Sequence, residues 1–178
     1  AEHTIFVDMS TIAPGAARAI GARLGESGRR FLDAPVSGGE SGAIAGILSI
    51  MVGGDEETFA AAAPMLEAMG TTVVHVGAQG AGQVTKSANQ LIVAANLAAA
   101  AEAIVFLRGH GIDPTVAMSV LGGGMAGSAV IERKVPAMIA GDFTPGFRAS
   151  LHLKDLGFVE RAAAEAGLDR GGGMLAGL

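Results

Sequence analysis

The sequence predicts an α/β region followed by an all-α region, the second containing one long helix. Up to residue 77, short runs rich in β-branched and apolar residues alternate with helical patterns. Beyond that point such runs stop, and helical segments follow one another, separated by glycine-rich connections. Half of the 178 residues are hydrophobic and only 16% are charged, which is a globular composition. We therefore place a domain boundary between residues 77 and 78.

The first region contains four predicted strands and two predicted helices. The strands lie in TIFVDM (4–9), RRFLDAPVSGG (29–39), ILSIMVGG (47–54) and TTVVHVG (71–77). The first helix follows the first strand, with Ser10 or Thr11 as its candidate N-cap. The second, in DEETFAAAAPMLEAMG (55–70), has an acidic first turn, which suits a helix N-terminus. This alternation predicts a mainly parallel sheet with covering helices.

The second region is predicted to be helical throughout. The predicted helices span about 82–108, DPTVAMSVL (113–121), SAVIERKVPAMI (128–139) and KDLGFVERAAAEAG (154–167). The closing RGGGMLAGL (170–178) is typical of an incomplete or poorly ordered end. The long first helix carries many small side chains, so we expect it to be buried, at an interface between subunits.

Composition and charge argue against several classes of protein. The net charge is -5 and no basic run occurs, so we expect no nucleic-acid partner. The absence of cysteine excludes disulfides and thiolate metal sites, and it fits a cytoplasmic setting. The four histidines are scattered and the carboxylates lack metal-loop spacing, so we expect no metal. The apolar stretch 91–107 is shorter than the roughly 20 residues of a membrane span, so we expect no membrane partner.

The segment GAGQVTKSANQ (80–90) resembles two kinds of phosphate-binding loop and matches neither. Both patterns require a glycine where this chain has Thr85. On a helix that starts near Gly82, Lys86 and Asn89 lie on one stripe among apolar neighbours. Loss of solvation lowers the pKa of such an ammonium and lets it transfer protons near neutral pH. Periodicity alone leaves open the alternative that Lys86 only extends to solvent.

A second candidate site follows the strand that contains Asp33. Ser37, Gly38 and Gly39 have small side chains, so their backbone N–H groups can approach a ligand and bind a carboxylate. The alternative is a tight turn that needs glycine only for its backbone conformation. The residues alone leave both interpretations open.

These segments together resemble the β-hydroxyacid dehydrogenase family over nearly the whole chain. The segments that carry the resemblance are FVDMSTIAP (6–14), DAPVSGG (33–39), GAIAGILSIMVGG (42–54), GAGQVTKSANQ (80–90) and KDL (154–156). The resemblance implies that residues 1–77 are the C-terminal portion of a Rossmann-type dinucleotide-binding domain. It implies that residues 78–178 form a helical substrate and dimerisation domain that is incomplete at its C-terminus.

The resemblance also implies a role for each matched residue. Lys86 is expected to be the catalytic lysine and Asn89 the amide that orients the substrate. Ser37, Gly38 and Gly39 are expected to hold the substrate carboxylate. The residues expected near a nicotinamide cofactor, NAD or NADP, are Ser10, Thr11, Phe147 and Lys154.

Residues 122–156 are most similar to the branch of the family that reduces tartronate semialdehyde, the 2-hydroxy-3-oxopropionate reductases. Gln90 stands where many members have a second asparagine, and this change is associated with that branch. The resemblance implies reversible NAD(P)-dependent reduction of a small semialdehyde acid by a homodimer or homotetramer. The alternatives are 3-hydroxyisobutyrate dehydrogenase, a glyoxylate or succinic semialdehyde reductase, and a non-catalytic dimerisation scaffold. The family's glycine-rich loop has no counterpart in this sequence, so we expect the chain by itself not to bind cofactor normally.

Overall fold

The computed structural model describes residues 4–168, which form five strands and seven helices. The strands are β1 (Ile5–Asp8), β2 (Arg30–Asp33), β3 (Val36–Ser37), β4 (Leu48–Gly54) and β5 (Gly70–Gly77). The helices are α1 (Pro14–Gly25), α2 (Gly39–Ala45), α3 (Glu56–Glu67), α4 (Ala81–Gly109), α5 (Pro114–Gly122), α6 (Ala129–Ala140) and α7 (Ala149–Glu165). The predicted order, a sheet with helices followed by helices alone, is confirmed.

Helices α2 and α7 differ from the prediction. The short helix α2 was not predicted, because its sequence GESGAIA consists largely of small residues that are also common in turns. Helix α7 begins at Ala149, ahead of the predicted start at Lys154, and it therefore includes His152. The closing segment 170–178, predicted to be poorly ordered, lies outside the described residues.

The sheet is mixed, whereas a mainly parallel sheet was predicted. β1 runs parallel to β2, and β5 runs parallel to β4. β4 runs antiparallel to both β2 and β3, pairing Leu32 with Gly54 and Val36 with Ile50. β2 and β3 are two parts of one extended segment, after which the chain turns back through α2. A direct return places the next strand antiparallel, whereas a parallel strand needs a crossover connection.

The first helix begins later than predicted. Ser10 and Thr11 were the candidate N-caps, but the N-cap of α1 is Ala13, whose side chain makes no capping hydrogen bond. Pro14 is the first residue of the helix. Proline suits this position because its missing N–H would have had no partner there and its backbone angle is already helical. Ser10 and Thr11 therefore stay in the loop between β1 and α1.

Two compact units divide the described residues. The sheet unit comprises residues 4–90 and 146–168, and the helical unit comprises Leu91–Pro145. The first turns of α4 and the whole of α7 thus belong with the sheet, although the sequence placed the domain boundary at residue 77. That boundary stays a prediction about domain organisation.

The core of the sheet unit is built from alternate residues of its central strands. Leu32 of β2, Ile50 and Val52 of β4, and Leu66 of α3 are fully buried. They form one cluster against which the partly buried Val7 and Phe59, among others, pack. Burial of large aliphatic side chains contributes roughly 1.5–3 kcal/mol each. This cluster holds the strand ends that carry the polar residues described below.

The helical unit has its own small core. Ala100 and Ile104 of α4 pack with Met118 of α5 and Val135 of α6. By length and composition alone, α4 is apolar enough to cross a membrane, with a mean hydropathy of 1.9 over 18 residues. The predicted absence of a membrane partner therefore stays a prediction.

A buried carboxylate at the end of β2 fixes the start of α4. Asp33 is completely buried, and its Oδ1 accepts from the backbone N–H of Gly80 at 2.7 Å and from Gln79 Nε2 at 3.0 Å. Its Oδ2 accepts from the backbone N–H of Gln83 at 2.9 Å. Two N–H groups at the beginning of the helix, which have no partner within the helix, are satisfied in this way.

Helix α4 approaches the sheet so closely that only glycine fits at the contact. A side-chain carbon at Gly82 would overlap the backbone oxygens of Met51 and Asp33. A side-chain carbon at Gly53 would overlap the backbone nitrogens of Ala81 and Gly82 and the Asp33 carboxylate. Gly82 of GAGQVTKSANQ is thus explained by the contact between helix and sheet, whereas Gly80 has a φ of 89° and faces Arg18 and Pro14 of α1.

The Gly82→Ala substitution should destabilise the fold by about 3 kcal/mol, since the backbone atoms it meets cannot move aside cheaply. Gly157→Ala is the matched control, because a carbon there has open space within the helix α7. It should stabilise the protein by roughly 0.5–1 kcal/mol. Urea unfolding followed by circular dichroism measures both changes, and equal stability of the two variants would contradict the close approach.

Candidate active site

Lys86 lies in the second turn of α4 and is largely buried, with 8% of its surface exposed. Within the part of the chain that the structure describes, its ammonium makes no hydrogen bond and no ion pair. Burial of most of the Lys86 side chain favours a role at this site over the alternative that Lys86 merely extends to solvent, which stays a prediction. A buried ammonium that keeps its donors is available to a ligand.

Three causes act on the pKa of Lys86. Desolvation by burial is the largest, and it lowers the pKa below the ordinary value of 10.5. The negative charge of Asp155 raises it, and the positive charge of Lys154 lowers it. The net effect is a lowered pKa, which brings the proton of Lys86 closer to exchange at neutral pH.

Asp155 supplies the negative charge of this cluster. It is 4% exposed on α7, and its Oδ1 lies 3.1 Å from Lys154 Nζ in an ion pair without hydrogen-bond alignment. Lys154 is more exposed and donates to the backbone oxygen of Thr11 at 3.0 Å. Only one N–H of Lys154 is used in a hydrogen bond, so donors remain for another acceptor. Helix α7 thus brings one carboxylate and one ammonium to the same site as Lys86.

Two side-chain amides connect α4 with Asp155. Asn89 Nδ2 donates to Gln90 Oε1 at 2.8 Å, and Gln90 Nε2 donates to Asp155 Oδ2 at 2.7 Å. His152 Nε2 lies 3.1 Å from the backbone oxygen of Gln90. Because a carbonyl oxygen only accepts, this ring nitrogen carries a proton. The structure therefore brings the predicted Asn89 into one network with Asp155.

The predicted cofactor residues Ser10 and Thr11 lie at the same site, on a loop held by α4. The side chain of Gln83, 1% exposed, accepts from Ile12 N at 3.2 Å and donates to Ser10 O at 2.8 Å. These bonds use backbone atoms. The hydroxyl groups of Ser10 and Thr11 have no hydrogen-bond partner among the described residues. They remain available as donors or acceptors.

The predicted carboxylate turn lies between β3 and α2. Ser37 pairs with Ser49, Gly38 has φ 135°, and Gly39 has φ 67°. Both glycines thus occupy the region that disfavours other residues, so a tight turn is present. Among residues 4–168, no hydrogen bond joins this turn to Lys86, and its role as a carboxylate site stays a prediction.

Phe147 is the remaining predicted cofactor residue. Its side chain is 48% exposed, and its ring lies 5.8 Å from that of His152, centroid to centroid. The contact places it at the start of α7, two turns before Lys154. A group of three or more metal-ligating side chains is absent among the residues that the structure describes.

Three residues of the site were not among the predicted site residues: Gln83, Asp155 and Gln90, the last noted only as a mark of one branch of the family. Gln83, Lys86, Ser87 and Gln90 are all buried, and they follow the spacing i, i+3, i+4, i+7 of one helix face. This polar face on an otherwise apolar helix is the sequence pattern that could have identified Gln83 and Gln90. Asp155 could be identified only in the structure, since its position in α7 is also that of an ordinary polar turn.

Family models match the two parts of the sequence separately. Residues 1–77 match the NAD-binding domain of 6-phosphogluconate dehydrogenase. Residues 80–177 match the NAD-binding domain of NADP-dependent 3-hydroxyisobutyrate dehydrogenase. The second match covers more than half of the chain.

Characterised relatives and solved structures agree with these matches. The 2-hydroxy-3-oxopropionate reductase of Escherichia coli K12 is 44% identical over 92% of this chain and 56% of its own length. The NAD-dependent L-serine dehydrogenase of Pseudomonas aeruginosa is 40% identical over 92% of this chain and 57% of its own. The structure of Mycobacterium tuberculosis 3-hydroxyisobutyrate dehydrogenase with L-serine is 39% identical, with a TM-score of 0.82, over 92% of this chain and 59% of its own. The chain thus spans a little over half the length of these relatives.

A further solved structure that is similar to the chain contains a nicotinamide cofactor. Psf3 in complex with NADP+ and 2-OPP is 33% identical with a TM-score of 0.82, over 89% of this chain and 56% of its own. Both nicotinamide cofactors are therefore represented among the similar proteins.

The lowered pKa of Lys86 predicts a pH-dependent stability. Between the lowered folded value and the ordinary 10.5, the unfolded chain binds more protons than the folded one. The free energy of unfolding should therefore rise with pH across this window. Lys86→Met should remove that rise, as measured by urea unfolding between pH 6 and 10.

Lys134→Met is the control for this measurement, since Lys134 is exposed on α6. It should leave the pH dependence of wild type in place. Parallel pH curves for wild type and Lys86→Met would show that Lys86 is not desolvated in the fold.

Proposed function

The chain belongs to the β-hydroxyacid dehydrogenase family, and we propose that the protein carrying it reversibly reduces tartronate semialdehyde to glycerate. The proposal rests on one observation above all: a buried ammonium, Lys86, keeps all of its donors and lies beside a charge pair. The 44% identity to the E. coli 2-hydroxy-3-oxopropionate reductase supports this choice of substrate. 3-Hydroxyisobutyrate and L-serine are the alternative substrates, in view of the other relatives.

Lys86 is the proposed proton donor. Negative charge develops on the carbonyl oxygen of the aldehyde as it is reduced, and an ammonium within hydrogen-bond distance stabilises that charge. The ammonium then transfers its proton to the oxygen, which becomes the product hydroxyl. In the oxidative direction neutral Lys86 takes the same proton back. Its lowered pKa favours both directions, because the neutral amine is reached more easily than in an ordinary lysine.

The remaining residues orient the substrate. The Ser37, Gly38 and Gly39 turn is proposed to hold the carboxylate through its backbone N–H groups. Asn89, partly exposed beside Lys86 on α4, is proposed to contact a substrate oxygen. Fixing the substrate at two points brings its carbonyl to Lys86, and orientation of this kind supplies much of the rate of a reaction without a covalent intermediate.

The proposed cofactor is NAD or NADP, which supplies the hydride when bound. The residues present fit its nicotinamide end. Ser10 and Thr11 offer hydroxyl groups, Lys154 keeps N–H donors, and Phe147 is about half exposed. The hydrogen bond from Lys154 to Thr11 keeps these groups together across α7 and the loop after β1.

Assembly and location remain predictions from the sequence. We propose a homodimer or homotetramer in the cytoplasm, without nucleic-acid or membrane partners. The alternative of a non-catalytic scaffold is disfavoured by the buried Lys86, because a scaffold gains nothing from the cost of desolvating an ammonium. Titration of the full-length protein with NADH and NADPH separates the two, since a scaffold gives no fluorescence change with either.

Lys86→Ala should lower kcat by roughly 10²- to 10⁴-fold, because it removes the general acid. The assay measures reduction of tartronate semialdehyde by the full-length protein, which is expressed from the longest open reading frame that encodes this chain. Lys134→Ala, a change of the same size at an exposed site, should keep wild-type kcat. Near-normal turnover by Lys86→Ala would rule out the proposed donor.

The pH profile of reduction should report the charges around Lys86. The rate falls as pH rises through the pKa of Lys86, since the deprotonated amine has no proton to donate. Asp155→Asn removes the charge that raises this pKa, so the falling limb should move to lower pH. Lys154→Met removes the charge that lowers it, so the limb should move to higher pH. Limbs that stay in place in both variants would assign the titration to another group.

A further inference from the structure

The loop between β1 and α1 is held by side chains rather than by other backbone atoms. Among the described residues, the backbone of residues 10–12 makes no hydrogen bond with the backbone elsewhere. Its hydrogen bonds go instead to the side chains of Asp8, Gln83 and Lys154. Gln83 and Lys154 lie on α4 and α7, far away in the sequence. The conformation of this loop is therefore set by the helices that carry the candidate active site.

Gln83 binds the loop with both ends of its amide. Its Nε2 donates to the backbone oxygen of Ser10 at 2.8 Å, and its Oε1 accepts from the backbone nitrogen of Ile12 at 3.2 Å. The side chain is 1% exposed, so water does not compete for these bonds. A backbone carbonyl only accepts and a backbone N–H only donates, so their partner must carry one donor and one acceptor. Glutamine meets this requirement, whereas an ionised glutamate or a methionine of similar length does not.

The position of Gln83 itself is fixed by the sheet. Its backbone nitrogen donates at 2.9 Å to Oδ2 of Asp33, a completely buried residue at the end of β2. Lys86 follows three positions later on the same buried face of α4. At a rise of about 1.5 Å per residue, roughly 4.5 Å along the helix axis separates the two. The residue that holds the loop and the proposed proton donor thus share one short, anchored segment of helix.

Lys154 contacts the same loop from α7 but is the weaker anchor. Its Nζ donates to the backbone oxygen of Thr11 at 3.0 Å, yet its side chain is 43% exposed and also pairs with Asp155. Solvent competes for exposed charged groups of this kind, so they contribute little to holding a loop in place. Both anchors bind backbone atoms, and the hydroxyl groups of Ser10 and Thr11 make no hydrogen bond within residues 4–168. The loop is therefore fixed without using the side chains that could contact a ligand.

We propose that Gln83 is a positioning residue for the nicotinamide cofactor, because it keeps residues 10–12 in the binding conformation and at a fixed place relative to Lys86. This inference rests on the proposed function, which assigns Ser10 and Thr11 to the cofactor. A loop that is ordered before binding loses little conformational freedom when the ligand arrives, and this raises the affinity. Without the amide of Gln83, only the fraction of molecules whose loop is in place can bind. The apparent Kd then rises in inverse proportion to that fraction.

Gln83→Met tests the proposal, because it keeps the length of the side chain and removes both hydrogen bonds. In the full-length protein, the Kd for NADH or NADPH should rise roughly tenfold, in line with the loss of two neutral hydrogen bonds. At saturating cofactor, kcat should stay within about twofold of wild type, because Lys86 is unchanged. Fluorescence titration measures the Kd, and reduction of the semialdehyde measures kcat. A merely structural role would lower kcat through loss of folded protein and leave the Kd of the remaining protein intact.

Ser87→Ala is the matched control for the loss of a buried hydrogen bond. Ser87 is 8% exposed, and its Oγ donates to the backbone oxygen of Gln83 at 2.9 Å. The substitution removes a buried hydrogen bond from the same part of α4 but none to the loop. The Kd for the cofactor should therefore stay at the wild-type value.

Gln83→Glu tests whether the position needs both a donor and an acceptor. A protonated carboxyl group can donate to one backbone group of the loop and accept from the other, as glutamine does, whereas an ionised one cannot donate. Burial and the Asp33 carboxylate raise the pKa of the introduced carboxyl, and the ammonium groups of Lys86 and Lys154 lower it. The Kd of the variant, divided by that of wild type at the same pH, should fall toward one as pH falls through this pKa. Binding as weak as that of Gln83→Met at every pH would contradict the requirement.

Hydrogen exchange gives a readout that needs no cofactor. The backbone N–H of Ile12 donates to Gln83, so residues 10–12 should exchange faster in Gln83→Met than in wild type. Protection of β4, and of α4 beyond Gln83, should stay at the wild-type level. A loss of protection throughout the sheet unit would assign Gln83 a purely structural role and overturn the inference.

The proposed function and this inference fail on different results. If the full-length protein binds NADH or NADPH but reduces no semialdehyde acid, the proposed function fails, and the inference is decided by the Kd values alone. An unchanged Kd in Gln83→Met, or no binding of either cofactor by wild type, would overturn the inference.

Discussion

The contact between the Asp33 carboxylate and the beginning of α4 is the interaction on which the rest of the site depends. Asp33 is held by a strand in the middle of the apolar core, and its two oxygens accept from three donors at the helix start. When the first turn of a helix is fixed, the direction of each later side chain around the helix axis and its position along that axis are fixed as well. The orientation of Lys86 and Gln90 toward α7 therefore follows from a carboxylate that touches neither of them.

The glycines at this junction serve the same contact. Gly53 on β4 and Gly82 on α4 let two backbones approach within a distance that a side chain would prevent. The short separation lets a side chain as small as aspartate reach two backbone N–H groups. Gly82, in a segment that resembles a phosphate loop, is thus explained by packing between helix and sheet.

The buried amides of this site are fully paired, whereas its charged groups are not: among the described residues, Asp155 Oδ1 has an ion pair but no hydrogen bond, and Lys86 has neither. Gln83 satisfies both ends of its amide on the loop after β1. Gln90 satisfies its own with Asn89 of α4 and Asp155 of α7. Lys86 has no such partner, and its ammonium is stabilised only by the nearby charge of Asp155. A fold that satisfies its buried amides but leaves one ammonium free has retained that group at a cost in stability. Unpaired polar groups of this kind are characteristic of functional sites, where a ligand completes the pairing.

The sequence by itself determined the order of the elements, the long helix and the candidate lysine. Apolar periodicity and glycine positions are local signals, so β1, β4, β5 and α4 could be predicted closely from them. The resemblance to a family identified Lys86 and Asn89 among the many polar residues of the chain. The direction of β4 could not be predicted in this way, because it depends on whether the chain crosses over the sheet or returns beside it.

The tertiary structure alone decided which polar residues meet. Asp33 and Gln83 are separated by 50 positions, and Gln90 and Asp155 by 65, so no local pattern relates them. Whether Asp155 is a surface turn residue or a buried carboxylate whose charge acts on Lys86 depends on which face of α7 meets α4. That choice is made by packing over the whole unit, and it also sets the pKa of Lys86 and the direction of the amides beside it. The residue types are written in the sequence, whereas their charges and hydrogen-bonding roles arise from the distances that folding creates.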